Sequence, residues 1–180
     1  MTRKKSSTCH IGVAFYSHPA FPTQWVLVLS DNPLFEGHVW CSTAVETVNG
    51  WGASWTPCDS SPSAFNQIAL FSGIVHVTRV SMTMNKMQTS ISKSNLASEV
   101  DRFEVQGDED IPYDTERYVV LALLRLCEGR SISLPKLEPK SLGNYIRGRF
   151  PDVEEAQRPA VSNMYPVVSL ESGKVSYGRS

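Results

Sequence analysis

The chain changes character once along its length, from segments patterned like strands to segments patterned like helices. Between residues 10 and 82, short apolar stretches rich in β-branched and aromatic residues are separated by turns that contain proline and glycine, as in a sheet. From residue 90 to residue 150, apolar residues recur at helical spacing instead. Strands followed by helices predict an α+β fold, in which helices cover one face of a mainly antiparallel sheet.

About five strands are predicted in the first part of the sequence. They begin near His10, near Gln24 and near His38, then after the Asn49-Gly50 turn, and finally at Leu70. Because alternate residues of a strand point to the same side, His38 and Trp40 should share one face of the third strand.

About three helices are predicted in the second part. They cover residues 90–103, the segment from Asp114 or Thr115 to Gly129, and residues 137–150. The predicted organisation is a flexible N-terminus over residues 1–9, a single domain over residues 10–150 and an irregular C-terminal tail over residues 151–180.

Charge and hydrophobicity exclude two classes of partner. The 17 Lys and Arg residues balance 18 Asp and Glu residues, giving a net charge of -1, so the chain has no field that would attract nucleic acid. Its apolar runs are far shorter than the roughly 20 residues that a membrane span requires. We therefore expect neither nucleic-acid binding nor a membrane-spanning segment.

The four cysteines, at positions 9, 41, 58 and 127, form no CxxC pair. This spacing suggests neither a zinc site nor a compact disulfide framework. The expectation is free thiols in a reducing compartment, which indicates a cytoplasmic location. No metal and no cofactor is predicted.

Two segments, His10 to Ser30 and Tyr113 to Val119, resemble a family of small, largely uncharacterised fungal proteins. In that family a strand begins with His-Trp, and a later helix opens with Trp-Asn-Cys followed by Tyr-Val. The order is similar to the circularly permuted papain-like fold of the lecithin retinol acyltransferase type. In such a site the helix N-terminus lowers the pKa of the thiol, and the histidine accepts its proton.

The chain departs from that pattern at both reactive positions. Gln24 stands where the family has histidine, beside the retained Trp25, and Thr115 stands where the family has cysteine. Glutamine cannot accept the proton of an alcohol, so covalent hydrolysis at Thr115 is not expected. His38 matches the position of the polar residue that orients the catalytic histidine in the permuted fold; the alternative is an ordinary strand histidine.

The resemblance implies a cleft that kept its shape and lost its nucleophile. Such a cleft would bind an apolar small molecule, and it could act as a non-covalent cyclase or isomerase of Diels-Alder type in fungal natural-product biosynthesis. The predicted catalytic residues are Gln24, His38 and Thr115, and the predicted substrate contacts are Trp25, Trp40, Tyr118 and Asp114.

Two alternative functions remain open from the sequence. One is a pseudoenzyme that acts through protein contacts. The other is a cysteine hydrolase or acyltransferase with a relocated dyad, in which His38 would serve a thiol elsewhere.

Overall fold

The computed structural model describes residues 8–18, 20–47, 50–58, 70–92, 115–135, 138–157 and 164–179. The strands are β1 (Cys9–His18), β2 (Phe21–Ser30), β3 (Val39–Thr47), β4 (Gly50–Cys58), β5 (Leu70–Val80), β6 (Met164–Ser169) and β7 (Val175–Arg179). The helices are α1 (Met84–Ser92), α2 (Thr115–Glu128), α3 (Pro139–Arg147) and α4 (Phe150–Gln157). None of the described helices combines the length and hydrophobicity that crossing a bilayer would require.

The strands form one sheet in the order β4-β3-β2-β1-β5-β6-β7. Neighbouring strands are antiparallel except for β5 and β6, which are parallel. The predicted α+β class with a mainly antiparallel sheet is therefore confirmed. The sheet is larger than predicted, with seven strands in place of about five.

The two additional strands come from the segment predicted to be an irregular tail. That prediction is wrong, because β6 and β7 complete one side of the sheet. Pro166 lies outside the pairing of β6 with β5, which starts at Val167, and it is opposite Tyr177 in the pairing with β7. Helix α1 ends at Ser92 and overlaps the helix predicted over residues 90–103 only at its start; residues 93–103 lie outside the described ranges.

The main core lies between the sheet and the helices. Strand β1 contributes alternate residues to it, namely Cys9, Ile11, Val13 and Phe15, as period-two geometry requires. Helix α2 packs on this face and buries Tyr118 and every residue from Val119 to Leu123. It is covered on several sides because it contacts the sheet, α1 and α3.

A second, smaller core lies on the opposite face of the sheet. It includes Ala14, Tyr16 and Val28, and Phe35 from the turn between β2 and β3 packs into it. The absence of a side chain at Gly12 makes room for Phe35, because a Cβ atom there would lie 2.6 Å from the Phe35 ring.

The turn between β2 and β3 crosses this second core and contacts β6 and β7. The Tyr165 hydroxyl, on β6, donates to the carbonyl of Phe35 at 2.8 Å and to the carbonyl of Leu34 at 3.1 Å. At the end of β7, the Arg179 N–H donates to a Glu36 carboxylate oxygen at 2.8 Å. The turn between β2 and β3 is therefore held against the β6 and β7 side of the sheet.

Candidate functional site

Thr115 joins the start of α2 to β2. Its Oγ1 accepts a hydrogen bond from the Trp25 N–H at 2.8 Å. Strand β3 pairs with β2 from Leu27 to Ser30. The Trp25 N–H therefore lies outside the stretch of β2 that is paired with β3. Thr115 thus satisfies a backbone donor, and it fixes the helix N-terminus against the strand.

Gln24 does not face Thr115. The strand register pairs Gln24 with Tyr16 and Trp25 with Phe15, and directly opposed residues share a face. Trp25 and Phe15 belong to the core under α2, with their rings 5.1 Å apart, whereas Tyr16 belongs to the core on the other face. Gln24, which replaces the histidine of the family pattern, therefore points away from the face on which α2 packs.

His38 and Trp40 lie at the other end of β2 from Gln24. His38 is exposed and precedes β3, whose first residue, Val39, pairs with Ser30. Ser30 lies six positions after Gln24 along the strand, or roughly 20 Å at 3.3 Å per residue. The structure therefore brings Thr115 to Trp25 but does not bring the three predicted catalytic residues together.

Tyr118 lies one turn after Thr115 and has a buried hydrogen bond. Its hydroxyl is bonded to the hydroxyl of Ser42 on β3, a partner that the sequence prediction missed. Burial raises the pKa of Tyr118 to about 12. The phenol is therefore neutral and bonded to a second neutral hydroxyl. This hydrogen bond connects α2 to β3, and it is poorly suited to proton transfer. Asp114 lies outside the described residues.

The cysteines correct another prediction. Cys41 and Cys58 form a disulfide between β3 and β4, with their Cα atoms 6.1 Å apart, so they are not free thiols. The prediction of a cytoplasmic location was based on four free thiols, so the disulfide removes its basis. Cys9 and Cys127 are free. Burial raises the pKa of the Cys9 thiol to about 12 and also raises that of Cys127, so neither is activated as a nucleophile.

The sequence prediction also missed a pair of histidines on neighbouring strands. The Nδ1 atom of His10 lies 3.2 Å from the Nε2 atom of His76, within hydrogen-bond distance. Burial, followed by the proximity of His10, lowers the pKa of His76 to about 4, so the pair is neutral near pH 7. The described residues provide no third ligand that would make it a metal site.

An open groove of about 790 Å³ lies between the end of β5 and the segment that follows α2. Residues 78–82 form one side, and Cys127 with residues 130–134 forms the other. Its volume is in the range of small-molecule sites. The lining residues include the apolar Val80, Met82, Ile132 and Leu134, the last two of which are buried in the main core, together with hydroxyl-bearing residues and two arginines.

None of the predicted site residues that the structure describes lines this groove. Its two sides come from segments about fifty residues apart, and neither segment carries a motif. The only local signal is Gly129 followed by Arg130 at the predicted end of a helix. The groove could therefore not be predicted from the sequence alone.

Comparison with protein-family models, with curated proteins and with solved structures found no match to this chain. The resemblance to the permuted papain-like fold is therefore untested and stays a prediction.

Proposed function

We propose that the protein binds a small, partly apolar molecule in the groove between the end of β5 and residues 130–134. The observation that carries this proposal is the groove itself, whose volume and mixed lining suit such a ligand. The proposal keeps the ligand-binding part of the sequence prediction and moves its site. Cyclisation or isomerisation of the ligand remains a hypothesis. We assign no acid–base pair in the groove to such a reaction.

The position of Cys127 makes the proposal testable on the unmodified protein. Cys127 lines the groove and is partly exposed, whereas Cys9, the other free cysteine of the described residues, is fully buried. N-ethylmaleimide should therefore label Cys127 in the folded protein at mildly alkaline pH. A bound molecule should shield this thiol.

The probe is N-phenylnaphthylamine, a neutral compound that becomes fluorescent in apolar surroundings. We expect its fluorescence to rise on addition of the protein, and we expect saturating probe to slow the labelling of Cys127 by about tenfold or more. The Cys127→Ser variant is the control, because it should bind the probe and take up no label. Absence of a fluorescence increase would contradict small-molecule binding and would favour the alternative of protein contacts; binding without protection of Cys127 would place the ligand elsewhere.

A further inference from the structure

The groove runs along one edge of β5, because consecutive residues at the end of this strand line it. All five residues from Thr78 to Met82 border the groove, whereas a groove over one face of a strand would be lined by alternate residues. Strand β1 occupies the other edge of β5 as far as Val80, which pairs with Cys9. The groove therefore lies along the edge of β5 that faces β6.

Strand β6 covers only the middle of that edge. It pairs with β5 from Ile74 to His76, and the Leu170 N–H, just after β6, donates to the His76 carbonyl at 2.9 Å. Beyond His76, none of the strands that the structure describes continues along this edge. The end of β5 therefore presents an unpaired strand edge to the groove, and such an edge is a template for a further strand.

Arg79 supplies backbone groups to this edge. Because the His76 carbonyl points to the β6 side, His76 and the opposite residue, Gly12, are not a hydrogen-bonded pair. Bonded and non-bonded pairs alternate along β1, so the pair of Ile11 is bonded and that of His10 is not. Arg79 is opposite His10, and its N–H and carbonyl therefore point outward to the groove. Its side chain shares the face of His10, so it is the backbone of Arg79 that lines the groove.

The opposite wall of the groove is an extended segment of similar length. Ile132 and Leu134 are buried, whereas Ser133 and Pro135 are exposed, an alternation typical of an extended chain. The lining segments 78–82 and 130–134 each correspond to roughly 16 Å of extended chain at 3.3 Å per residue. Two extended walls thus border the groove, a shape that suits an elongated ligand.

From these observations we infer that the ligand is a short peptide in extended conformation, which adds to the edge of β5 that β6 leaves unpaired. Its backbone bonds to the N–H and carbonyl of Arg79, as in other complexes formed by strand addition. Its alternate side chains contact the half-buried Val80 and Met82. This inference rests on the proposed function, since it names the class of molecule bound in that same groove.

Two peptides with the same side chains test the role of the ligand backbone. The probe is a pentapeptide of alternating threonine and valine, blocked at both ends, and the comparison is its fully N-methylated analogue, which has no amide donors. We expect the unmodified peptide, at up to about 1 mM, to displace N-phenylnaphthylamine and to slow the labelling of Cys127. The N-methylated peptide should bind about tenfold more weakly, because it cannot donate to the Arg79 carbonyl.

Two substitutions of Arg79 separate its backbone from its side chain. Arg79→Pro removes the outward N–H, which a strand edge tolerates, and should weaken binding of the unmodified peptide by about fivefold. Arg79→Gln is the matched control: it retains the N–H, and peptide binding should stay within about twofold, because the side chain lies on the other face. Both variants should bind N-phenylnaphthylamine within about twofold of the original affinity, as expected for an intact groove.

The outcomes separate the two proposals. Failure of N-phenylnaphthylamine to bind would overturn the proposed function itself. If that compound binds but the unmodified peptide does not displace it, or if both peptides bind equally well, the peptide ligand is overturned while groove binding stands. A larger loss of peptide affinity in Arg79→Gln than in Arg79→Pro would also overturn pairing with the backbone. Should Arg79→Pro fail to fold, the comparison of the two peptides on the original protein decides.

Discussion

At the scale of single residues, the most unusual group is the His10 and His76 pair on the face of the sheet opposite the helices. Their rings are tilted by 43° with centroids 5.2 Å apart, and the Phe35 ring lies edge-on to His76. The charged groups that act on the pair are Arg79, which lowers both pKa values, and Asp31, which raises that of His10. A single hydrogen bond between neutral rings is stable here, whereas a charged ring would be desolvated.

This pair predicts an acid-sensitive fold. The pKa of His76 is about 4 in the folded protein and 6.5 in the reference state, so the unfolded chain binds more protons between these values. The free energy of unfolding should be highest above pH 6.5 and should fall as pH decreases toward 4. Because His76 is partly exposed, we expect a loss of only about 1 kcal/mol between about pH 7.5 and about pH 5.

His76→Gln tests this assignment, since glutamine can still bond to His10 and does not titrate. Urea unfolding at the two pH values should show a smaller loss in the variant than in the original protein. His38→Gln is the control. Because His38 is exposed, this substitution should leave the pH dependence of stability unchanged. Equal losses in His76→Gln and the original protein would show that another group is responsible.

The positions of the site residues predicted from the resemblance could be inferred from the sequence only in part. The resemblance placed Thr115 and Trp25 in the same region, and the two residues are in contact where α2 and β2 begin. It could not show that Gln24 points to the other face, since that depends on the register between β1 and β2. Nor could it detect the histidine pair, which joins residues 66 positions apart.

At the scale of elements, the attachment of α2 to β2 depends on the Thr115 hydroxyl. The bond from the Trp25 N–H is part-buried and lies beyond the part of β2 that β3 pairs with. Thr115→Val keeps the shape of the side chain and removes the acceptor. We expect the variant to lose about 1 kcal/mol of unfolding free energy, because the part-buried Trp25 N–H loses its protein acceptor.

Thr115→Ser provides the matched comparison, because it retains the oxygen and loses only a methyl group. Urea unfolding should place serine within about 0.5 kcal/mol of the original protein. If valine were as stable as serine, the hydrogen bond would have no structural importance. Probe binding in the groove should be unchanged in both variants, since Thr115 does not line it.

The elements themselves were predicted with uneven success. The Asn49-Gly50 turn signal correctly separates β3 from β4, which pair with Thr47 opposite Gly50. Strands β6 and β7 were missed because Pro166 and Gly178 are typical of loops. Their strand character depends on partners that are distant in sequence, which no local pattern reveals.

At the scale of the whole molecule, β7 and the turn after β2 are in close contact across the second core. Gly178 lies at this contact. A Cβ atom at this position would lie 2.5 Å from the Leu34 carbonyl oxygen and 2.6 Å from the ring of Tyr165. The same ring carries the hydroxyl that bonds to the carbonyls of Leu34 and Phe35.

Gly178→Ala should therefore force β7 away from the turn and disturb the Tyr165 hydrogen bonds. We expect a loss of about 2 kcal/mol of unfolding free energy, as for an overpacked site, measured by urea unfolding. Gly129→Ala is the control, because the nearest atom to its Cβ would be 3.4 Å away and an alanine there should change stability by less than about 0.5 kcal/mol. Equal stability of the two variants would mean that the contact of β7 with the turn after β2 at Gly178 does not contribute to stability.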